Sequence, residues 1–240
     1  MTDRILGEGI AKQELNLIFI IDKSGSMYGE KIAAVNNAIR DIVSIMPEIQ
    51  DDTADANIKI SALTFSDYAE WIYPEPRSVD DFKWQDISVD GGTNFSDAYD
   101  KLTDYMIKKS KGGQMPDLGG VAPILILMTD GVPTSLDWEE HLNILKKRGW
   151  FKVALKYALA IGEQNEEIMN VLSSFTGNIE TVLKVYTAEA LRKVIKVIAV
   201  TASKVKSNSS VSNSTGITNS NDVAKAEIKE NLNDIDDIEF

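Results

Sequence analysis

Leu15-Asn16-Leu17-Ile18-Phe19-Ile20-Ile21-Asp22-Lys23-Ser24-Gly25-Ser26-Met27 passes from a nearly continuous apolar run into a carboxylate and two hydroxyls. A run of strand length with almost no alternation reads as a central parallel strand buried on both faces. The polar residues that follow then fall on the loop at its C-terminal edge, where open α/β sheets bind ligands. Ile32, Val35, Ile39, Ile42, Val43 and Met46 come next at spacings of three and four, an amphipathic helix expected to end before Pro47.

The same order of strand, loop and helix recurs. Ile58–Phe65 alternates as a strand, and Ala69–Tyr73 follows closely enough to be its antiparallel hairpin partner. Gly91-Gly92-Thr93-Asn94 precedes a helix through Ala98, Leu102, Tyr105 and Met106, with Thr93 or Asn94 as its cap. Val121–Met128 is a second buried strand. Trp138–Lys147 reads as a helix, Phe151–Ile161 as a strand, Glu166–Phe175 as a helix, and a short strand is expected near Val182 before a last helix over Ala188–Ala202. The expected fold is therefore α/β: a Rossmann-like, doubly wound, mostly parallel sheet with one antiparallel edge strand and helices on both faces. Residues 1–12 form an N-terminal segment and 13–202 the domain. The Ser/Asn-rich stretch 203–222 reads as a flexible linker. The acidic end 223–240 reads as a tail, with Ile228, Leu232 and Ile235 spaced for a short amphipathic helix that forms on binding.

Composition narrows the chemistry. The 240 residues carry 37 Asp+Glu against 25 Lys+Arg, a formal charge of −12, and this field repels nucleic-acid phosphates and anionic membranes. There is no cysteine and one histidine, His141, so thiolate metal sites, Cys nucleophiles and His-rich zinc centres are excluded. Any metal must be held by oxygen. The first residues lack an apolar signal core and no apolar run approaches the ~18 residues of a membrane span, which predicts a cytoplasmic protein.

Three segments bring oxygen to one sheet edge if the strands are parallel. Asp22, Ser24 and Ser26 follow the first strand, Thr93 follows the Gly-Gly pair, and Asp130 follows Ile124–Thr129. Two carboxylates and three hydroxyls suit a hard cation such as Mg²⁺ or Mn²⁺. Each segment alone has a plain structural reading, since Asp, Ser and Thr favour turns and helix caps. Other motifs fail on spacing. Gly7-Glu8-Gly9 lacks the third glycine of a dinucleotide fingerprint and precedes the strand, and the Gly25–Lys31 stretch lacks Gly-Lys-Ser/Thr. Ser24 stands where an aspartyl-phosphate enzyme of the haloacid dehalogenase pattern has a second Asp.

Asp22-Lys23-Ser24-Gly25-Ser26, then Thr93, then Asp130-Gly131 resembles the metal ion-dependent adhesion site (MIDAS) of the von Willebrand factor A domain family, over roughly residues 13–202. The resemblance implies that Ser24, Ser26 and Thr93 bind the ion through their hydroxyls, while Asp22 and Asp130 act mostly through water and hydrogen bonds. It implies Mg²⁺, or Mn²⁺ or Ca²⁺ in its place, and a protein partner that supplies an Asp or Glu carboxylate. It also implies a binding module and not an enzyme. Within the family, the compact domain with Leu17-Ile18-Phe19-Ile20-Ile21-Asp22-Lys23-Ser24-Gly25-Ser26-Met27, Gly91-Gly92-Thr93 and Met128-Thr129-Asp130-Gly131-Val132-Pro133-Thr134 resembles the bacterial tellurite-resistance TerY-like group, whose A domains accompany a protein kinase and a PP2C-type phosphatase. The alternatives are an accessory subunit of an AAA+ ATPase of the MoxR or chelatase type, and a metal-dependent phosphohydrolase.

Overall fold

The computed structural model describes residues 13–52, 56–162, 165–208, 216–233 and 235–239, with backbone alone over 204–208 and 216–220. The N-terminal segment 1–12 lies outside the described residues. Strands β1 (Gln13–Asp22), β2 (Ala56–Phe65), β3 (Ala69–Trp71), β4 (Arg77–Ser78), β5 (Ile124–Thr129), β6 (Leu155–Ile161), β7 (Val182–Val185) and β8 (Ile238–Glu239) form one sheet. Its order is β3-β2-β1-β5-β6-β7-β8, with β4 also on β2. β2, β1, β5, β6 and β7 are mutually parallel. The antiparallel hairpin strand β3 lies on β2 as expected, and the two-residue β8 adds an antiparallel strand at the opposite edge.

The run Leu15–Ile21 is buried throughout because its side chains serve two cores. Leu15, Leu17, Phe19 and Ile21 join the layer of α1 (Glu30–Asp52) and α6 (Ala188–Asn208). Ile18 and Ile20 face the layer of α2 (Phe95–Tyr105), α3 (Trp138–Leu145), α4 (Gly149–Val153) and α5 (Glu166–Thr176). The order in which strands are added reverses about β1, with β2 on one side and β5 on the other, so the loops after β1 and β5 meet at a switch point.

Several expectations are corrected. α1 continues through Pro47 to Asp52, although a mid-helix proline costs about 3 kcal/mol. Burial of Ile49 beyond it, and Gln50, whose side chain donates to Ala56 O and accepts from Ile58 N–H (both 2.6 Å), secure the final turn against β2. The strand expected over Phe151–Ile161 starts at Leu155. Phe151 sits instead on α4, where a helical turn sets its ring edge-on to Phe175 at 5.5 Å. Of the stretch 203–222, residues to Asn208 extend α6 and those from Gly216 begin α7 (Gly216–Leu232), while 209–215 lie outside the described residues.

The acidic end is not a solvated tail. Ala224, Ile228 and Leu232, four apart on α7, are fully buried in the core that holds α6, joined by the half-buried Ile235 and Ile238. The amphipathic face expected to fold on a partner is covered by this chain's own α6. Ile228→Ala is expected to destabilise the protein by about 3 kcal/mol, the usual loss for a buried Ile truncated to Ala, read as a lower urea midpoint with unchanged slope. A substitution at Glu227, exposed on the same helix, gives the reference with no shift.

Candidate metal centre

The parallel pairing of β1 with β5 sets the site. Ile21 lies opposite Met128, which brings Asp22 beside Thr129 one residue further on. Asp22 is fully buried and its oxygens are both held: Ser24 N–H donates to Oδ1 (2.7 Å) and Thr129 Oγ1 donates to Oδ2 (2.5 Å). Burial pushes the Asp22 carboxyl above its usual range; the Thr129 and Ser24 hydrogen bonds oppose this and the nearby Asp130 charge adds to it.

Ser24 precedes, and Ser26 sits in, a short 3₁₀ turn, Gly25–Met27, whose Met27 side chain is buried in the α1 layer and pins the loop. Their hydroxyls are 3.1 Å apart, and Ser26 Oγ donates to Asp130 Oδ1 at 2.7 Å. Neighbouring oxygens around an octahedral Mg²⁺ with ~2.1 Å bonds are about 3 Å apart, so these spacings fit a shared coordination edge. Thr93 is nearly buried, and from an ideal Cβ position on Gly131 both Ser26 Oγ and Thr93 Oγ1 lie 3.7 Å away. Asp22, Ser24, Ser26, Thr93 and Asp130 are thus gathered from three loops at one end of the sheet.

The loops are cross-tied by backbone. Lys23 N–H donates to Phe65 O, Asp90 N–H to Lys23 O, and Gly25 N–H to Gly91 O. Gly91 has φ +61°, and a Cβ there would lie 2.5 Å from Asp67 Oδ2, so glycine is required for the close approach. Asp67 accepts from Gly92 N–H, and Thr93 exchanges hydrogen bonds with Thr134: its N–H donates to Thr134 Oγ1 and its carbonyl accepts from Thr134 N–H. Asn94, not Thr93, caps α2 by accepting from Asp97 N–H, which leaves the Thr93 hydroxyl free of capping.

Three contributors were not singled out from the sequence. Thr129 supports Asp22 and also accepts from Gly131 N–H; Thr134 fixes Thr93; and Lys31, on the first turn of α1, ion-pairs through Nζ with Asp130 Oδ2 and donates to Ser26 O. The Asp130 side chain is 1% exposed, so this ammonium partly neutralises a buried carboxylate. The signal for Thr129 is a lone polar residue closing an apolar strand. Lys31 gives none, because a lysine on a first helical turn usually faces solvent.

Among the described residues no group of three or more His, Asp or Glu could hold a metal ion. The donor set is oxygen only, rich in neutral hydroxyls, and poor in charge. That fits a hard divalent cation left with excess positive charge. Thr129→Val is expected to weaken Mg²⁺ binding by about 10-fold, the usual effect of removing a supporting hydrogen bond, and Lys31→Met to strengthen it by roughly 10-fold by removing a neighbouring cation; calorimetric titration reads both.

His141 stands apart from these oxygens, bonded to Asp100 through Nδ1 (2.6 Å) and to Asp137 through Nε2 (3.3 Å). Asp137 and Ser135 both share Ser96 Oγ, so the imidazole ties α3 to α2 beside the Thr134 loop. The Asp100 hydrogen bond, with further help from Asp137, holds the His141 pKa above 6.5 against a smaller opposing effect of burial. A raised folded value gives stability that is complete below the unfolded value and lost as pH rises through the folded one. His141→Gln should therefore flatten the fall in thermal midpoint as pH rises above the ordinary imidazole value of about 6.5.

The family model of the von Willebrand factor type A domain matches residues 16–197. Inter-alpha-trypsin inhibitor heavy chain H4 of Homo sapiens is 30% identical over 134 residues, 53% of this chain and only 13% of that protein. Among solved structures, proximal thread matrix protein 1 from the mussel byssus with a zinc-occupied MIDAS motif has a TM-score of 0.54 at 18% identity, covering 80% of this chain and 46% of that one. The ArnB paralog VWA2 from Sulfolobus acidocaldarius gives 0.53 at 22% identity, over 76% and 44%. These two likenesses are likenesses of fold. With the family match spanning β1 to α6, the chain belongs to the von Willebrand factor type A domain family.

Proposed function

We propose that this domain is a non-catalytic, metal-dependent protein-binding module that captures an acidic side chain of a partner. The observation that carries the reading is the charge of the donor set: Ser24, Ser26 and Thr93 offer neutral hydroxyls, and of the two carboxylates Asp130 is already paired with Lys31. Ser24, Ser26 and Thr93 would hold the ion, with Asp22 and Asp130 orienting hydroxyls and bound water. When bound, the cation supplies unquenched positive charge to which an Asp or Glu oxygen from another molecule can add.

This chain's residues do the rest. Thr129 and Ser24 hold Asp22 in place, Thr134 and the Gly91-Gly92 turn present Thr93, and Asp130 keeps Ser26 in place. The sole histidine is engaged by Asp100 and Asp137 and supplies no base to these oxygens. Domains of this family commonly mediate protein–protein interaction through such a metal, and one neighbour of similar fold carries zinc in its MIDAS motif, which supports the reading. Hard oxygen donors favour Mg²⁺, with Mn²⁺ or Ca²⁺ as substitutes. We further propose, on the resemblance of the Asp22–Met27 and Met128–Thr134 segments to the TerY-like group, that the module works in a cytoplasmic signalling system with a protein kinase and a PP2C-type phosphatase.

Thr93→Ala and Asp22→Ala are each expected to lower Mg²⁺ affinity by at least about 10-fold and to abolish magnesium-dependent capture of a kinase or phosphatase from lysate, with unchanged circular dichroism in EDTA. Capture that persists in EDTA and in both variants rejects the proposal. Capture of a hexameric ATPase in their place selects the AAA+ accessory reading.

A further inference from the structure

Among the described residues, four large apolar side chains are more than three-quarters exposed: Tyr28 at 80%, Tyr68 at 76%, Leu136 at 103% and Leu118 at 91%. Singly exposed apolar residues are ordinary. Tyr28 and Leu136, however, stand on loops that build the candidate metal centre, and Tyr68 stands on the β2–β3 turn, which is tied to the Thr93 loop by the Gly92 N–H to Asp67 hydrogen bond. Tyr28 is two residues past Ser26, Tyr68 follows Asp67 in the β2–β3 turn, and Leu136 is two residues past Thr134.

Each is presented by a tethered backbone. Tyr28 follows the buried Met27 and donates its N–H to Gly25 O (3.2 Å). Tyr68 O accepts from Ser66 N–H; on one side Asp67 O accepts from Asn94 Nδ2, and on the other Ala69 N–H donates to Asp97 Oδ2 (2.6 Å). Leu136 lies between Ser135 and Asp137, both bonded to Ser96 Oγ. These hydrogen bonds hold three large apolar groups in water beside a polar site, although burying them would stabilise the fold. Apolar groups gathered around a polar centre are the anatomy of a protein–protein contact.

We infer that Tyr28, Tyr68 and Leu136 form an apolar rim around the metal centre that selects protein partners in which the docking carboxylate is flanked by large aliphatic or aromatic side chains. This rests on the metal-dependent reading above and adds the chemistry of the partner to it. The site's two carboxylates, Asp22 and Asp130, and Asp67 and Asp90 on the segments tied to it disfavour a polyanion such as nucleic acid. A single carboxylate bound to the ion, with its apolar neighbours on the rim, meets both halves of the surface. Each tethered loop loses little backbone freedom on contact, and tyrosine, with two side-chain torsions, adds a low ordering cost as an anchor.

The test is selection of phage-displayed random short peptides on the immobilised full chain in Mg²⁺, with elution by EDTA. Wild-type pools are expected to be enriched in Asp or Glu with aromatic or aliphatic residues within two positions. The triple variant Tyr28→Ser/Tyr68→Ser/Leu136→Ser should still yield EDTA-eluted acidic peptides but without the apolar flanks. A peptide selected on wild type should bind that variant about 10-fold more weakly, with the single variants showing smaller losses should the triple fold poorly. Acidic peptides without apolar flanks from wild type, or equal affinity for the variants, overturn the rim and leave the metal site standing. An EDTA eluate with no acidic enrichment overturns the metal-dependent reading, and the rim with it.

Discussion

A carboxylate withdrawn from water at the end of the central strand is the constraint around which this end of the molecule is arranged. An ionised Asp22 without partners would be costly to bury, so the fold must supply donors at that point. The parallel register of β1 and β5 supplies Thr129, and the turn after β1 supplies the Ser24 amide. Once Asp22 is fixed, the direction of the loop to Ser26 is fixed with it. Ser26 then meets Asp130 on the adjacent loop, and Asp130 meets Lys31 returning on α1. A change in the β1–β5 register by one residue would move Thr129 to the opposite face and undo each of these contacts in turn.

The electrostatics of the site run against those of the whole chain. A protein of formal charge −12 repels acidic partners at long range, yet the proposed function is to hold an acidic side chain. A divalent ion among neutral hydroxyls inverts the field only within a few ångströms, where screening by salt is weak. Recognition in such a molecule is decided on contact. That places unusual weight on the groups immediately around the ion, and on the hydrogen bonds that hold Thr93 and Thr134 to each other across two loops.

Much of this was legible in the sequence because it is carried by local pattern. Leu15–Ile21 is apolar on both faces and is buried on both faces; Asp22, Ser24, Ser26, Thr93 and Asp130 follow strands or precede a helix in the order that brings them together. What was not legible depended on distant partners. Pro47 reads as a stop, and the burial of Ile49 in the core and the hydrogen bonds of Gln50 to β2 carry the helix past it. Phe151 lies in an apolar run that suits a strand until Phe175 is there to receive its ring. Ile228 and Leu232 sit among acidic residues with the period of a helix that lacks a partner, and the partner is α6, whose Val197 and Val200 lie half-buried in the same core. Lys31 is ordinary in its own helix and consequential only because Asp130 is brought to it from 99 residues away.

The short strands at the two margins of the sheet have a consequence for how this molecule can make contacts. β3 and β4 lie along β2, and β8 lies along β7, so the long strands expose no extended row of backbone donors and acceptors. Backbone pairing is indifferent to side-chain identity and is the common route by which sheets adhere to unrelated chains. With that route narrowed at both margins of the described sheet, the proposed docking at the loops is left to side chains, which accept or refuse a partner by its chemistry.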